Sequence, residues 1–285
     1  MKEALRKLLK LQDDHQLHFE KVYGGDICES FSVTLDSGER YFVKTQDVSL
    51  ISMFHAEQQG LLALSQCAEL NIPHSLGVIH HGQTALLVLT HLELHQKSDA
   101  GLERLGRGLA QLHHIEHQHF GFEQDNFIGR TPQKNTWANN WTDFWNTCRL
   151  QPQIHLLKNK GAPKSFINTA QKFCERLPLL LGHQPRPSLL HGDLWSGNYG
   201  ICADGTPSVF DPAVYFGDRE TDLAMTRLFG GFSQRFYDAY QEIWPSEYGC
   251  QERSDIYNIY HLLNHANLFG GSYLAQAQSA MQRFI

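Results

Sequence analysis

The chain of 285 residues reads as an α+β protein in two lobes, an antiparallel-sheet N-lobe with one main helix and a mostly helical C-lobe. Three observations predict this. Up to about residue 91, short alternating apolar runs are punctuated by Gly and Asp turns, the pattern of paired strands. Beyond that point leucines recur at three- and four-residue spacing, the pattern of helices with one buried face. Late in the second part an apolar run, Ser188-Leu189-Leu190, ends in His191-Gly192-Asp193-Leu194-Trp195-Ser196-Gly197-Asn198. A second run, Ser208-Val209-Phe210, then delivers Asp211. The expected division is residues 1–91 for the first lobe and 92–285 for the second.

An opening helix over 2–12 sets Leu5, Leu8 and Leu9 on one face and Lys and Arg on the other. Strands are expected over 19–23, 28–35 and 40–45, with Gly24-Gly25 between the first two and Asp36-Ser37-Gly38 joining the last two. A Gly24-Gly25-Asp26 turn lets backbone N–H groups approach a phosphate, although such turns are more often simple hairpins. Lys44 alternates with apolar residues on the third strand, and the helix that follows, 51–66, carries Glu57 among Met53, Phe54, Leu61 and Leu64. A strand lysine followed by a helix glutamate is the ion pair that places an amine on nucleotide phosphates. A hairpin over 77–81 and 84–90 ends in a nearly all-apolar strand, so that strand is central. It runs into His91-Leu92-Glu93, the expected connector whose backbone would meet adenine.

In the second lobe a helix over 98–117 buries Leu102, Leu105, Leu109 and Leu112 and ends in a histidine-rich stretch. His113 and His117 lie one turn apart, but no third ligand has a suitable spacing, so capping and packing are their expected roles. Residues 120–136 read as a loop rich in Gly, Asn, Asp and aromatics, the kind of loop that often binds. An aromatic helix follows over 140–150, then helices over 163–181, 234–244 and 252–269, and a last one after Gly270-Gly271. A further helix starts near Gly217-Asp218-Arg219-Glu220-Thr221-Asp222, where Asp218 or Asp222 is expected to cap backbone N–H groups and brace the preceding loop.

The spacing H-x-D-x-x-x-x-N, then a strand ending in Asp, supplies what phosphoryl transfer from a metal–nucleotide needs. One carboxylate takes the proton of the attacking hydroxyl, while an amide and a second carboxylate hold the metal. With 17 His, 15 Asp and 12 Asn, about 0.04 chance matches to the triplet are expected, so the pattern carries weight. A formal charge of −6 gives no reason to expect nucleic acid or an acidic membrane surface as partner. No apolar run approaches the ~20 residues of a membrane span, and the charged start is not expected to be a signal peptide. Six scattered cysteines without a C-x-x-C fit free thiols in a reducing cytoplasm. Cys28, just after the Gly-Gly turn, is a thiol whose oxidation would reach the phosphate region. Whether the chain is monomer or dimer stays open.

The chain resembles the fructosamine kinase (ketosamine 3-kinase) family, within the aminoglycoside-phosphotransferase and choline-kinase-like branch of the protein-kinase-like fold. The resemblance covers nearly the whole chain. Its carriers are Gly24-Gly25-Asp26-Ile27, Phe42-Val43-Lys44, Glu57 with Gly60-Leu61, and Phe120-Gly121-Phe122. Asp125-Asn126-Phe127-Ile128-Gly129 with Thr131-Pro132-Gln133, Arg149-Leu150 with Pro152-Gln153, His191 to Asn198, and Phe210-Asp211-Pro212-Ala213 through Glu220 complete it. The H-G-D motif belongs to the whole branch; the D-N-F-I-G…T-P-Q segment and the tryptophan of H-G-D-L-W-S-G-N narrow it. Two departures are Thr90, where many relatives carry an acid, and His114, where a basic residue is common.

The resemblance implies an ATP- and Mg²⁺-dependent kinase acting on a sugar hydroxyl of ketoamine glycation adducts, whose phosphorylated products release the amine. On that reading Lys44, held by Glu57, grips the α- and β-phosphates under the Gly24-Gly25 turn. Asn198 and Asp211 coordinate Mg²⁺, and Asp193 orients the hydroxyl and takes its proton. Trp195 either stacks on the sugar or packs the loop, Asn126 and Asp218 are further substrate candidates, and His191 is expected to bond the loop backbone. The alternatives are a kinase of another small hydroxylated substrate (aminoglycoside, choline or hydroxy-amino acid), a silent nucleotide-binding module and a zinc hydrolase. The silent module predicts loss of Lys44, Asp193, Asn198 or Asp211, and all four are present.

Overall fold

A computed structural model of the chain describes residues 1–12, 16–23 and 28–285. Helix α1 (Lys2–Leu9) precedes strands β1 (Leu17–Val22), β2 (Glu29–Leu35) and β3 (Arg40–Asp47). Helix α2 (Ile51–Leu64) and strands β4 (Ser75–His81) and β5 (Thr84–Thr90) follow. The five strands form one sheet in the order β1-β2-β3-β5-β4, each neighbouring pair antiparallel.

Side-chain parity explains how this sheet is covered. Successive residues of a strand face opposite ways. On β5, Leu86 and Val88 join Leu5, Leu17, Val33 and Val43 in a core on one face, which α1 closes. Ala85, Leu87 and Leu89 join Phe54 and Leu61 of α2 on the other. A strand covered on both sides is a near-continuous apolar run, as β5 is from Ala85 to Leu89. The same parity turns Val43 toward α1 and puts Phe42 and Lys44 on the α2 face.

After Thr90 the chain leaves the sheet through His91–Glu93. Strand β6 (Leu94–His95) pairs with β10 (Tyr199–Cys202), which also pairs with β11 (Pro207–Val209). Helix α3 (Asp99–His113) stops one turn earlier than the leucine pattern suggests, because 114–119 carry no further buried leucine to hold a helix. Ser98 caps it, its Oγ accepting from Gly101 N at 3.2 Å. The segment read as a loop contains a hairpin, β7 (Asn126–Ile128) and β8 (Thr131–Gln133). Strands of three residues are too short to show a period, so pattern alone misses them.

The aromatic segment forms α4 (Trp141–Phe144) and then a π-helical stretch, Trp145–Leu150, that runs directly into α5 (Gln151–Asn159). The helix expected over 140–150 therefore continues past residue 150. Pro152 follows directly on the π-helical stretch, at the start of α5. Helix α6 (Lys164–Leu180) and strands β9 (Ser188–Leu190) and β12 (Tyr215–Gly217), which pair with each other, complete the frame around the motif. Helices α7 (Glu220–Leu228), α8 (Gln234–Ile243), α9 (Cys250–Phe269) and α10 (Tyr273–Gln282) finish the chain. One core gathers around α9 with Phe144, Trp145, Phe166 and Phe173, another between α3 and α8 with Leu105, Leu109, Phe236 and Tyr240. Among the described residues, no helix is long and apolar enough to cross a membrane.

Candidate active site

A cleft of about 1260 Å³ is lined from both parts of the chain, by β3, α2 and the 91–95 connector on one side and by 193–198, 210–213, α7 and α9 on the other. The sequence-predicted residues Lys44, Glu57, His91, Leu92, Glu93, Asn126, Asp193, Trp195, Asn198 and Asp211 all line it. Gly24 and Gly25 lie outside the described residues.

Lys44 reaches into the cleft from β3, where it stands opposite Ser30 on β2 and Leu87 on β5. Its Nζ donates to Glu57 Oε1 at 2.7 Å and also to Asp211 Oδ1. Helix α2 can bring Glu57 this close because it carries Gly60 against the 211–214 segment. A Cβ on Gly60 would stand 3.0 Å from the Pro212 ring. Burial works against the charged amine, but the Asp211 and Glu57 carboxylates outweigh it and hold the lysine above its ordinary value. Glu57 is pushed upward, chiefly by burial and with Asp211 adding to it. One cation thus serves two carboxylates.

The loop after β9 is built by its backbone. Gly192 has φ +83°, and a Cβ there would lie 2.0 Å from Ala213 O, so only glycine permits the turn. The Asp222 carboxylate accepts from His191 N at 2.7 Å and Gly192 N at 2.9 Å, anchoring the turn from α7. His191 Nε2 donates to Phe210 O at 3.0 Å while its Nδ1 accepts from Asp193 N at 3.3 Å, which ties the two halves of the motif together. Burial keeps this imidazole below its ordinary pKa, and it is spent on backbone.

Asp193 and Asn198 face each other across the loop. The Asn198 amide donates to Asp193 O at 2.9 Å and to Asp193 Oδ2 at 3.3 Å, leaving its carbonyl oxygen uncommitted to them. Burial, helped by the Asp211 and Asp222 charges, raises Asp193 to about 7. Asp211 adopts φ 57°, a left-handed conformation that is uncommon outside glycine and concentrates at functional sites. Asn198 and Asp211 offer oxygen donors of the kind a hard divalent cation takes, beside a surplus of negative charge that such a cation would offset.

Other candidates are placed differently. Asn126 lines the cleft, yet its amide donates to Val214 O at 2.8 Å and its Oδ1 accepts from Gln133 Nε2 at 2.9 Å, so it braces the Asp211 segment. Asp218 does not line the cleft. Its carboxylate accepts from Tyr257 Oη at 2.5 Å, pairs with His183 Nε2 at 2.7 Å and caps Glu220 N at 3.0 Å, which leaves it no reach toward a substrate. The work expected of Asp218 or Asp222 is therefore divided: Asp218 caps α7 and Asp222 holds the loop. Trp195 is 37% exposed and folds its ring over Gly197, where a Cβ would meet it at 2.3 Å.

Sequence reasoning missed the line of support behind Asp222. Arg219 donates to Tyr240 Oη at 3.2 Å, and His113 bridges Tyr240 Oη at 2.8 Å and Asp222 at 3.1 Å. His113 is fully buried and held below its ordinary pKa by that burial, while its bond helps keep Asp222 low against burial. His117 instead stacks on Trp137 with ring centroids 4.4 Å apart, so the two histidines share no ligand position. Only the acid in the first turn of α7 hinted at this network.

A family model described as fructosamine kinase matches residues 1–285. A protein of Vibrio cholerae described as a probable ketoamine kinase is 42% identical over 280 residues, 96% of this chain and 94% of that one. The crystal structure of a putative fructosamine-3-kinase from Haemophilus somnus superposes with a TM-score of 0.91 at 30% identity, covering 100% of this chain and 98% of that one. A thermostable mutant of aminoglycoside phosphotransferase APH(4)-Ia, in ternary complex with AMP-PNP and hygromycin B, superposes with a TM-score of 0.68 at 16% identity over 94% of each chain. That last likeness is one of fold alone.

Proposed function

The chain belongs to the fructosamine kinase family, and from that premise we propose that it transfers the γ-phosphoryl group of ATP to a sugar hydroxyl of a ketoamine adduct. The phosphorylated adduct then releases its amine, so the outcome is deglycation. The observation that carries this reading is the meeting of Lys44 and Glu57 from the sheet side with Asp193, Asn198 and Asp211 from the helical side, in one cleft.

In this reading Lys44 grips the α- and β-phosphates, and Glu57 fixes its amine. Backbone groups of His91, Leu92 and Glu93 take the adenine edge. Asn198 and Asp211 would hold Mg²⁺, whose charge, when bound, offsets that of the phosphates. Asp193 orients the acceptor hydroxyl and takes its proton; a carboxylate raised to about 7 is a better base than an ordinary one. The transition state of phosphoryl transfer is loose, so positioning and charge compensation supply most of the rate. Trp195, half exposed beside the base, borders the sugar.

Phosphorus NMR of ATP incubated with a fructose-derived lysine adduct tests this. The wild type is expected to consume ATP and give a sugar phosphate ester that decays with release of lysine. Asp193→Asn is expected to lose roughly a thousandfold in turnover, in line with removal of a general base. Wild-type rates in that variant would remove the base assignment, and no ester from any ketoamine would remove the function.

A further inference from the structure

The acceptor end of the cleft differs in kind from the phosphate end. Phe229, His265, Phe269 and Tyr273, from the end of α7, from α9 and from α10, line the same cavity as Asp193 and Trp195. His265 is the centre of the group, with ring centroids 4.8 Å from Phe229, 5.5 Å from Phe269 and 5.1 Å from Tyr273. Phe229 is 40% exposed and Phe269 55%, although both belong to a cavity wall. Large rings left open to water inside a cleft gain from being covered by a ligand.

Charge complements this. Among the described residues lining the cleft, the lysine and arginine side chains are Lys44 and Arg40, and both belong to β3 on the sheet side. Arg40 lies 3.7 Å from Glu93 and Lys44 is taken by two carboxylates. His265 donates from Nδ1 to His261 O at 2.8 Å, and burial holds it below its ordinary pKa, so it is neutral near pH 7. Among the described residues lining the cleft, no lysine or arginine side chain stands at this end, and the nearby Lys97 is engaged through its Nζ with Ser196 O.

Resting on the proposed function, we infer that the wall formed by Phe229, His265 and Phe269 receives the amine-borne substituent of the ketoamine, and that it selects adducts of amines with uncharged aromatic or aliphatic substituents over adducts that carry a carboxylate next to the amine. Flat apolar groups find ring faces there, at the edge-to-face and offset distances that aromatic pairs prefer. Amines held within a longer chain satisfy the same rule, since their nearest carboxyl is an amide or is several bonds away. The wall therefore chooses the acceptor, and the motif loop performs the transfer.

The test compares two adducts of the same sugar, fructosyl-benzylamine and fructosyl-glycine, in steady-state assays with ATP and Mg²⁺. The wild type is expected to favour the benzyl adduct by about tenfold or more in kcat/KM, the scale on which an apolar contact discriminates. Phe269→Ala should shrink that ratio several-fold, mainly through the KM for the benzyl adduct, with the KM for ATP steady. Phe269→Lys should shift the preference toward the glycine adduct. Phe269 is more than half exposed, so both variants are expected to fold, and an unchanged melting temperature checks it. Equal use of the two adducts by the wild type, or an equal loss on both in Phe269→Ala, overturns the inference and leaves the kinase reading standing. Failure of every ketoamine to turn over overturns both.

Discussion

The two ends of the cleft are built on opposite terms. At the end proposed to hold the phosphates each functional group is fixed several times over: Lys44 by two carboxylates, the 191–193 turn by Asp222, and Asp222 in turn by His113, which Tyr240 holds from its other side. At the acceptor end the rings of Phe229 and Phe269 are held by contact alone and stand open to water. The difference teaches where chemistry and choice reside. Groups that must meet a charged phosphate within a fraction of an ångström need buried, paired partners, whereas a wall that only selects substrates works through shape and area.

The contrast breaks most sharply at the proposed metal donors. Asp211→Ala is expected to abolish Mg²⁺-dependent ATP turnover, a loss of roughly a thousandfold or more, while circular dichroism stays that of a folded protein. Retained turnover would displace Asp211 from its place in the account. Next comes the support behind the loop. Asp222→Ala strands two buried backbone N–H groups and should cost on the order of 3 kcal/mol of stability, read as a lower urea midpoint, and should lower kcat far more than it raises KM. A variant of unchanged stability and kcat would mean that the turn holds itself.

A third test separates strain from support. Asp193 is raised from an ordinary 3.8 to about 7 in the fold, so its ionisation there opposes folding. Below the unfolded value of 3.8 both states carry the proton and nothing is lost. From there up through about 7 the unfolded chain ionises while the folded one does not, and stability falls. Asp193→Asn, inactive, should therefore melt higher than the wild type at pH 8 in metal-free buffer, by a margin that narrows below pH 7 and vanishes near pH 4. An equal or lower melting temperature at pH 8 would deny that the base is held at a cost to the fold. The smallest effect belongs to the acceptor wall: Phe229→Ala should change the KM for a ketoamine by a few-fold and leave the KM for ATP alone. A larger shift for ATP than for the acceptor would erase the distinction between the two ends.

The same contrast decides what could be read from the amino-acid sequence. Lys44 was legible because a charge alternating with apolar residues on a strand is conspicuous, and parity alone puts it on the α2 face. His191, Asp193, Asn198 and Asp211 were legible because spacing within one loop is a local property. The open sheet followed by helices was legible from period. Asp218 and Asp222 stand four residues apart on one short segment, and only the packing of α3 and α8 against α7 tells which one faces the loop. His113 offered no sign of its part in that network, since its partners Tyr240 and Asp222 are more than a hundred residues away. The hairpin Asn126–Gln133 and the continuation through Pro152 into α5 escaped because three-residue strands have no period and a proline looks like a stop. The acceptor rings escaped for a simpler reason: an aromatic on a helix reads as core until the cleft beside it is seen.

The central claim is that charges from the sheet side and the helical side act together on one nucleotide. A double-mutant cycle on Lys44 and Asp211 measures this most directly, with kcat/KM for ATP followed in the wild type, Lys44→Ala, Asp211→Ala and the pair. The account predicts strong non-additivity, the double variant losing little more than the worse single one, because each residue is of use only when the other holds its end of the phosphates. Losses that simply multiply would show two independent sites and contradict it.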